Sequence, residues 1–216
     1  MTPNFWQKLG QSEGSKKNNL AMLFCIPSVY QLNPLWANKP LGNATLETQG
    51  QFGCLISCMA SMSSIGNSFN WRLDDFNDAF KAHKGFQTGG CPACAATFDI
   101  SSVSPQVRLG RITPRYPNID FPSNELSALV SHIKLGGVAI AEVDINLQKP
   151  GEQCHFVLCA GVNSRDGIEI MDPWVDDRML VPMVPRYGPT EAFAIWQAFY
   201  YNLGPSSQST LTSSIP

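Results

Sequence analysis

The chain has 216 residues, of which 44% are apolar and 15% charged, with a formal net charge of −2. That apolar share supplies a core, and the length favours one domain with tails over two. There is no basic run to suit nucleic acid or an anionic membrane, and no stretch reaches the ~18 apolar residues of a membrane span.

The first 20 residues read as a docking segment and linker. Phe5, Trp6 and Leu9 form a short apolar cluster, and Gln11 to Asn19 is polar. Leu20 to Val29 is apolar but broken by Pro27, and lacks the layout of a secretory signal. The chain is therefore expected to be made in the cytoplasm. Its seven cysteines, Cys25, Cys54, Cys58, Cys91, Cys94, Cys154 and Cys159, are expected as free thiols. An odd count leaves room for one kept for its reactivity.

Residues 21–203 read as one globular body. Gly50, Gln51, Phe52 and Gly53 form a flexible lead-in, followed by Cys54, Leu55, Ile56, Met59, Ala60 and Met62. This predicts a buried helix from Cys54 to about Gly66. Leu73, Phe76, Ala79 and Phe80 predict a second helix over 72–84, closed by Gly85. Leu126, Leu129, Val130 and Ile133 predict a third over 123–135, closed by Gly136-Gly137.

The texture then changes. Val138 to Ile145, Cys154 to Val162 and Gly167 to Asp172 are short, β-rich and separated by turn residues. Ala192 to Tyr201 is expected to be a final strand. Helices first and a mostly antiparallel sheet second predict an α+β fold. Residues 204–216, rich in Ser, Thr and Pro, read as a flexible tail.

A cysteine nucleophile acts as its thiolate. A helix N-terminus and a neighbouring imidazolium both stabilise that form, and the imidazolium must supply most of the effect. Cys54 starts the first helix. Its plainer reading is a core thiol, as Cys58 one turn on is expected to be.

Three histidines are available. His83 is expected half-exposed and His132 solvated. His155 opens a core strand, where it shares a face with Val157 and Cys159 and can point into a cleft. A strand-end His bonded to backbone is the plainer reading. Asp172 closes the next strand. If the two strands form a hairpin, Asp172 returns toward His155 and can accept its Nδ1 proton. A turn Asp before Pro173 is the plainer reading there, and Asn163 is the rival acceptor.

The run Gln31-Leu32-Asn33-Pro34-Leu35-Trp36-Ala37, then Leu41-Gly42, then Phe52 to Ala60, resembles the stand-alone members of the double-glycine-leader peptidase-like family. So do His155-Phe156-Val157-Leu158 and Asp172-Pro173-Trp174, in the same order. The resemblance covers roughly residues 28–202. It implies a papain-like fold, with an N-terminal helical half packed on the sheet, and a cysteine peptidase. It further implies Cys54 as nucleophile, His155 as general base and acid, Asp172 as orienter, and a glutamine donating to the oxyanion. Gln31 matches that position by context. Gln51 is its rival, but would have to fold back from the turn before Cys54. Residues 88–117 have no counterpart in the family; they are expected to separate the two halves and to shape the cleft.

Cys91-Pro92-Ala93-Cys94 lacks the strand-to-helix setting of a redox motif. As half of a zinc site it needs two more ligands, and Cys154 and Cys159 face opposite sides of a strand. Asp74-Asp75 and Asp176-Asp177 read as solvated charges. No metal and no cofactor are called for. The expected partner is a peptide or protein substrate, with docking through the two end segments. Bacterial cell-wall peptides, reached within a phage particle or similar assembly, are the substrate and setting expected. An acyl or amide transferase, or a non-enzymatic docking module, is the competing function.

Overall fold

Eleven consecutive residues, Cys54–Ser64, are buried along one helix, and the rest of the fold surrounds it. The computed structural model describes residues 27–65, 69–86, 96–117, 119–144, 154–176 and 179–204. The readings made on the two end segments (1–26 and 205–216), on Cys91 and Cys94 and on Asp177 lie outside the described residues.

In chain order the elements are α1 (Gln49–Phe52), α2 (Cys54–Ser64), α3 (Leu73–Ala82), β1 (Val107–Ile112), α4 (Ser123–Lys134), β2 (Val138–Asp144), β3 (Cys154–Val162), β4 (Ile168–Met171), β5 (Val181–Pro182), α5 (Glu191–Ala194) and β6 (Ile195–Leu203). A helix apolar on all sides is stable only when covered on all sides. Here α3 and the sheet cover α2, through Leu73, Phe76, Phe80, Val138, Ile140, Leu158 and Phe199. Two of its serines bind neighbouring segments. Ser61 Oγ accepts from the Val29 N–H at 3.0 Å, and Ser64 Oγ accepts from the Trp71 N–H at 3.0 Å.

The six strands run in the order β1-β6-β2-β3-β4-β5, each antiparallel to its neighbours. The α+β class expected from the sequence is observed, although β1 precedes α4 and α5 precedes β6. One refinement concerns the layers. While α2 and α3 cover one face of the sheet, Leu129 and Ile133 of α4 cover the other, over Ala139, Ala141, Val157 and Cys159. Alternation along β3 divides its side chains between these two cores, with Leu158 and Ala160 on the α2 side.

Five expectations change. The lead-in before Cys54 is a helical turn, α1, and not a flexible stretch. Part of 88–117 forms β1, an edge strand paired with β6, so β6 and β2 stand between it and β3. Its side chains are mostly exposed, and backbone pairing holds it. Asp74 is only 5% exposed and carries ion pairs with Lys39 (2.5 Å) and Arg72 (2.9 Å). His132 is half-buried, with Nε2 at 3.0 Å from the Tyr201 carbonyl and 3.2 Å from that of Val138, which ties α4 to the sheet. His83 is exposed.

The loop before α1 is fixed by the residues that the sequence singled out. Trp36 Nε1 donates to the Tyr30 carbonyl at 2.9 Å, and Asn33 Oδ1 accepts from the Leu35 N–H. Leu41 is buried, and the Gly42 N–H donates to Asn77 Oδ1 at 2.8 Å. Gly42 sits at φ +57°, where a Cβ would also meet the Phe86 ring at 2.7 Å. Glycine is the residue that both conditions allow.

Candidate active site

The turn into α2 is made by close backbone contact. The Gly53 N–H donates to the Gln49 carbonyl at 2.8 Å, and a Cβ on Gly53 would lie 2.2 Å from that oxygen. A side chain there is sterically forbidden, so the chain can turn from α1 into α2 within one residue. No side chain caps α2. The N–H groups of its first turn are therefore not taken up by a cap, and Cys54 is the first residue of that turn.

β3 and β4 supply the other two groups. Their antiparallel register pairs Leu158 with Met171. Asp172, one residue past Met171, thus returns toward the start of β3, where His155 stands. Asn163 lies at the opposite end, with Oδ1 accepting from the Arg165 and Gly167 N–H groups of the turn. The structure brings Cys54, His155 and Asp172 together, and leaves Asn163 out.

His155 is 1% exposed, Asp172 3% and Cys54 7%. Nε2 of His155 lies 3.0 Å from Asp172 Oδ1. The nitrogen expected there was Nδ1. Because Nε2 faces the carboxylate, Nδ1 is the ring nitrogen left for the Cys54 side chain, which also favours the charged imidazole. Burial disfavours the charged imidazole. The hydrogen bonds to Asp172 and Cys54, and their negative charge, outweigh burial and raise His155 to about 9. Burial likewise works against the Asp172 carboxylate, but donation from His155, Tyr187 and the Trp174 N–H brings it down to about 2. Asp172 is ionised at neutral pH, so the Nε2 that faces it carries the proton.

Cys58 differs from Cys54 although one turn away. It is fully buried, its Sγ donates to the Phe156 carbonyl at 3.4 Å, and burial first, then the neighbouring Cys54 and Asp172, push its thiol up. Burial does the same to Cys159. Cys154 is exposed, with Arg115 Nη2 at 3.3 Å from its sulfur.

Gln31 is fully buried, and its Nε2 donates to the Gly50 carbonyl of α1 at 2.9 Å. Its backbone N–H donates to the Pro173 carbonyl at 2.8 Å. It therefore touches both the turn that leads to Cys54 and the turn that follows Asp172. Gln51 is exposed on α1.

Sequence reasoning missed Arg186 and Tyr187. Both donate to Asp172 Oδ2. They lie in the loop between β5 and α5, without periodicity or motif to mark them. The Trp174 ring stands 5.3 Å from the His155 ring, half-exposed beside it. Among the described residues no group of three or more His, Cys, Asp or Glu side chains is arranged to hold a metal ion, and no helix is long and apolar enough to cross a membrane.

No family model matches the sequence, and no curated protein matches it. Among solved structures, the chain is similar to one from Bacillus anthracis provisionally named a C39-like peptidase. The two are 15% identical, with a TM-score of 0.44, over 82% of this chain and 94% of that one. A likeness at that level assigns no activity. The chain's own geometry offers a cysteine at an uncapped helix start and a histidine between that cysteine and a buried carboxylate.

Proposed function

We propose that the chain is a cysteine peptidase with Cys54 as nucleophile, His155 as general base and acid, Asp172 as orienter and Gln31 as oxyanion donor. One observation carries the reading: buried His155 stands between the Cys54 side chain, which acts on its imidazole, and buried, ionised Asp172, to which Nε2 is bonded. Buried charges are retained where they are paired, and a paired Cys, His and carboxylate is the arrangement that nucleophilic catalysis needs.

The chemistry follows from the protons. The Cys54 thiol gives its proton to His155 Nδ1, and Asp172 holds the resulting imidazolium through Nε2. The thiolate attacks the scissile carbonyl, and the negative charge moves onto the carbonyl oxygen. The N–H groups of the first turn of α2 support that oxyanion, together with Gln31 Nε2, whose second hydrogen is not the one given to Gly50. His155 Nδ1 then returns its proton to the leaving amine, the C–N bond breaks, and a thioester remains on Cys54. Water, deprotonated by neutral His155, attacks the thioester and releases the acid. Asp172 stays ionised throughout.

The substrate class in this proposal is a peptide. Bacterial cell-wall cross-links, met as part of a phage particle or similar assembly, are the setting to test first. Alkylation by iodoacetamide at pH 6 with peptide mapping tests the nucleophile: Cys54 reacts faster than each of the other cysteines. Uniform labelling, or faster labelling of Cys91 or Cys94, overturns the assignment. Incubation with purified wall sacculi tests the substrate. New amino groups with the native chain, and none with Cys54→Ala, support wall peptides. Activity confined to a denatured protein mixture rejects them. Thiol labelling without any hydrolysis favours the transferase or docking alternatives.

A further inference from the structure

Asp172 carries more donors than orienting one imidazole requires. Its side chain is fully buried. Oδ1 accepts from His155 Nε2 and from the Trp174 N–H, at 3.0 and 2.9 Å. Oδ2 accepts from Arg186 Nε and from the Tyr187 hydroxyl. Tyr187 is itself buried, and its ring stands 5.9 Å from the His155 ring. The Arg186 guanidinium lies over the Tyr187 ring at 5.7 Å, its side chain 38% exposed.

A carboxylate that faced His155 alone would hold the imidazolium too firmly. The proton must leave Nδ1 for the departing amine, and neutral imidazole must then activate water. A cation on the far oxygen of the carboxylate draws negative potential away from the ring. We propose that Arg186 and Tyr187 are positioning residues of the site: together they take Oδ2 of Asp172, which leaves Oδ1 to His155 and limits the negative charge that the imidazole meets. The catalytic meaning of this rests on the cysteine-peptidase reading; the geometry and the test do not.

Among the described residues the charged and titratable groups around the pair are few. Cys54 on α2 and Asp172 after β4 face His155. His155, Arg186 and Tyr187 face Asp172, with the Cys58 thiol of α2 close enough to feel its charge. Among the described residues Arg186 is the one cation on Asp172 besides the imidazolium itself, so its removal has a defined sign. Without it the imidazolium is better stabilised, and His155 gives up its proton at higher pH.

The test is a nitrogen NMR titration of His155 in full-length chain carrying Cys54→Ala, so that no thiol titrates with it. Arg186→Met and Arg186→Gln are expected to raise the His155 midpoint by roughly half a unit to one unit, the net scale of one ordinary hydrogen bond. Tyr187→Phe moves it in the same direction. Arg186→Lys returns it to within a few tenths of the unsubstituted value. A midpoint that is unchanged or lower in both neutral variants, with a native amide spectrum, overturns the proposal, because a merely structural role leaves it in place. If both neutral variants fail to fold, Tyr187→Phe decides: a raised midpoint upholds the proposal, and one that is unchanged or lower overturns it. Failure of the peptidase reading shows separately, as absence of Cys54 alkylation and hydrolysis in the native chain, with this titration unaffected.

Discussion

Gln31 donates its backbone N–H to the Pro173 carbonyl at 2.8 Å, so the loop ahead of α1 is bonded to the turn that carries Asp172. Its side chain meanwhile donates to Gly50. One residue thus links the two halves of the site, through main chain on one side and side chain on the other.

Gln31→Ala keeps the main-chain link and removes the amide. If the amide supports the oxyanion, kcat falls by ~10²–10³ with little change in KM. Steady-state kinetics on a peptide substrate check this. Full turnover in the variant would transfer the role to Gln51 or to backbone alone.

Asp172→Asn leaves a side chain of the same shape without its charge. The amide can present its NH₂ group to Nε2, which favours the wrong tautomer. Turnover is expected to fall by ~10²-fold or more. Arg186 and Tyr187 also lose their acceptor charge, and stability is expected to drop by about 1–3 kcal/mol. Kinetics and urea unfolding read the two effects separately. A variant with native turnover would remove Asp172 from the mechanism.

The pH dependence of stability has a sign on each side. His155 is raised from 6.5 to about 9 in the folded chain. Its contribution is full below 6.5 and is lost as pH rises toward 9. Asp172 is lowered from 3.8 to about 2. Its contribution is full above 3.8 and is lost as pH falls toward 2. From these two groups, thermal midpoints should be highest between about pH 4 and 6.5. His155→Gln should flatten the decline above pH 6.5. Calorimetry across pH tests this, and an unchanged alkaline slope in the variant would contradict it.

Gly53→Ala tests the turn into α2. Gly53 has an ordinary φ of −81°, so backbone strain is not the issue. The added methyl would meet the Gln49 carbonyl at 2.2 Å. The clash is expected to cost about 1–3 kcal/mol, as overpacking does. It should also displace Cys54 and slow its alkylation. Equal urea midpoints for both proteins would show that α1 can move aside freely.

The site was legible in the sequence where a local pattern and a strand end coincided. The predicted bounds of β3, Cys154 to Val162, match the observed strand, and the hairpin argument brought Asp172 back to His155. Which ring nitrogen meets Asp172 was not legible, because it depends on the side from which the ring is approached. β1 was hidden because an exposed edge strand needs no apolar alternation. α1 was hidden because its glycine and flanking Gly53 read as freedom, whereas they permit close contact with Ala37 and Gln49. Arg186 and Tyr187 act on a carboxylate far back in the chain, and a loop residue carries no periodic signal of such a role.

The last strand of the sheet in chain order, β6, is inserted between β1 and β2 and is not added at an edge. During synthesis the chain carries Cys54, His155 and Asp172 out of the ribosome well before β6 follows. Until it does, β2 has an empty side, and the Phe199 and Tyr201 contributions to the core over α2 are missing. The cooperative unit that orders the three groups therefore closes only after Leu203 has emerged.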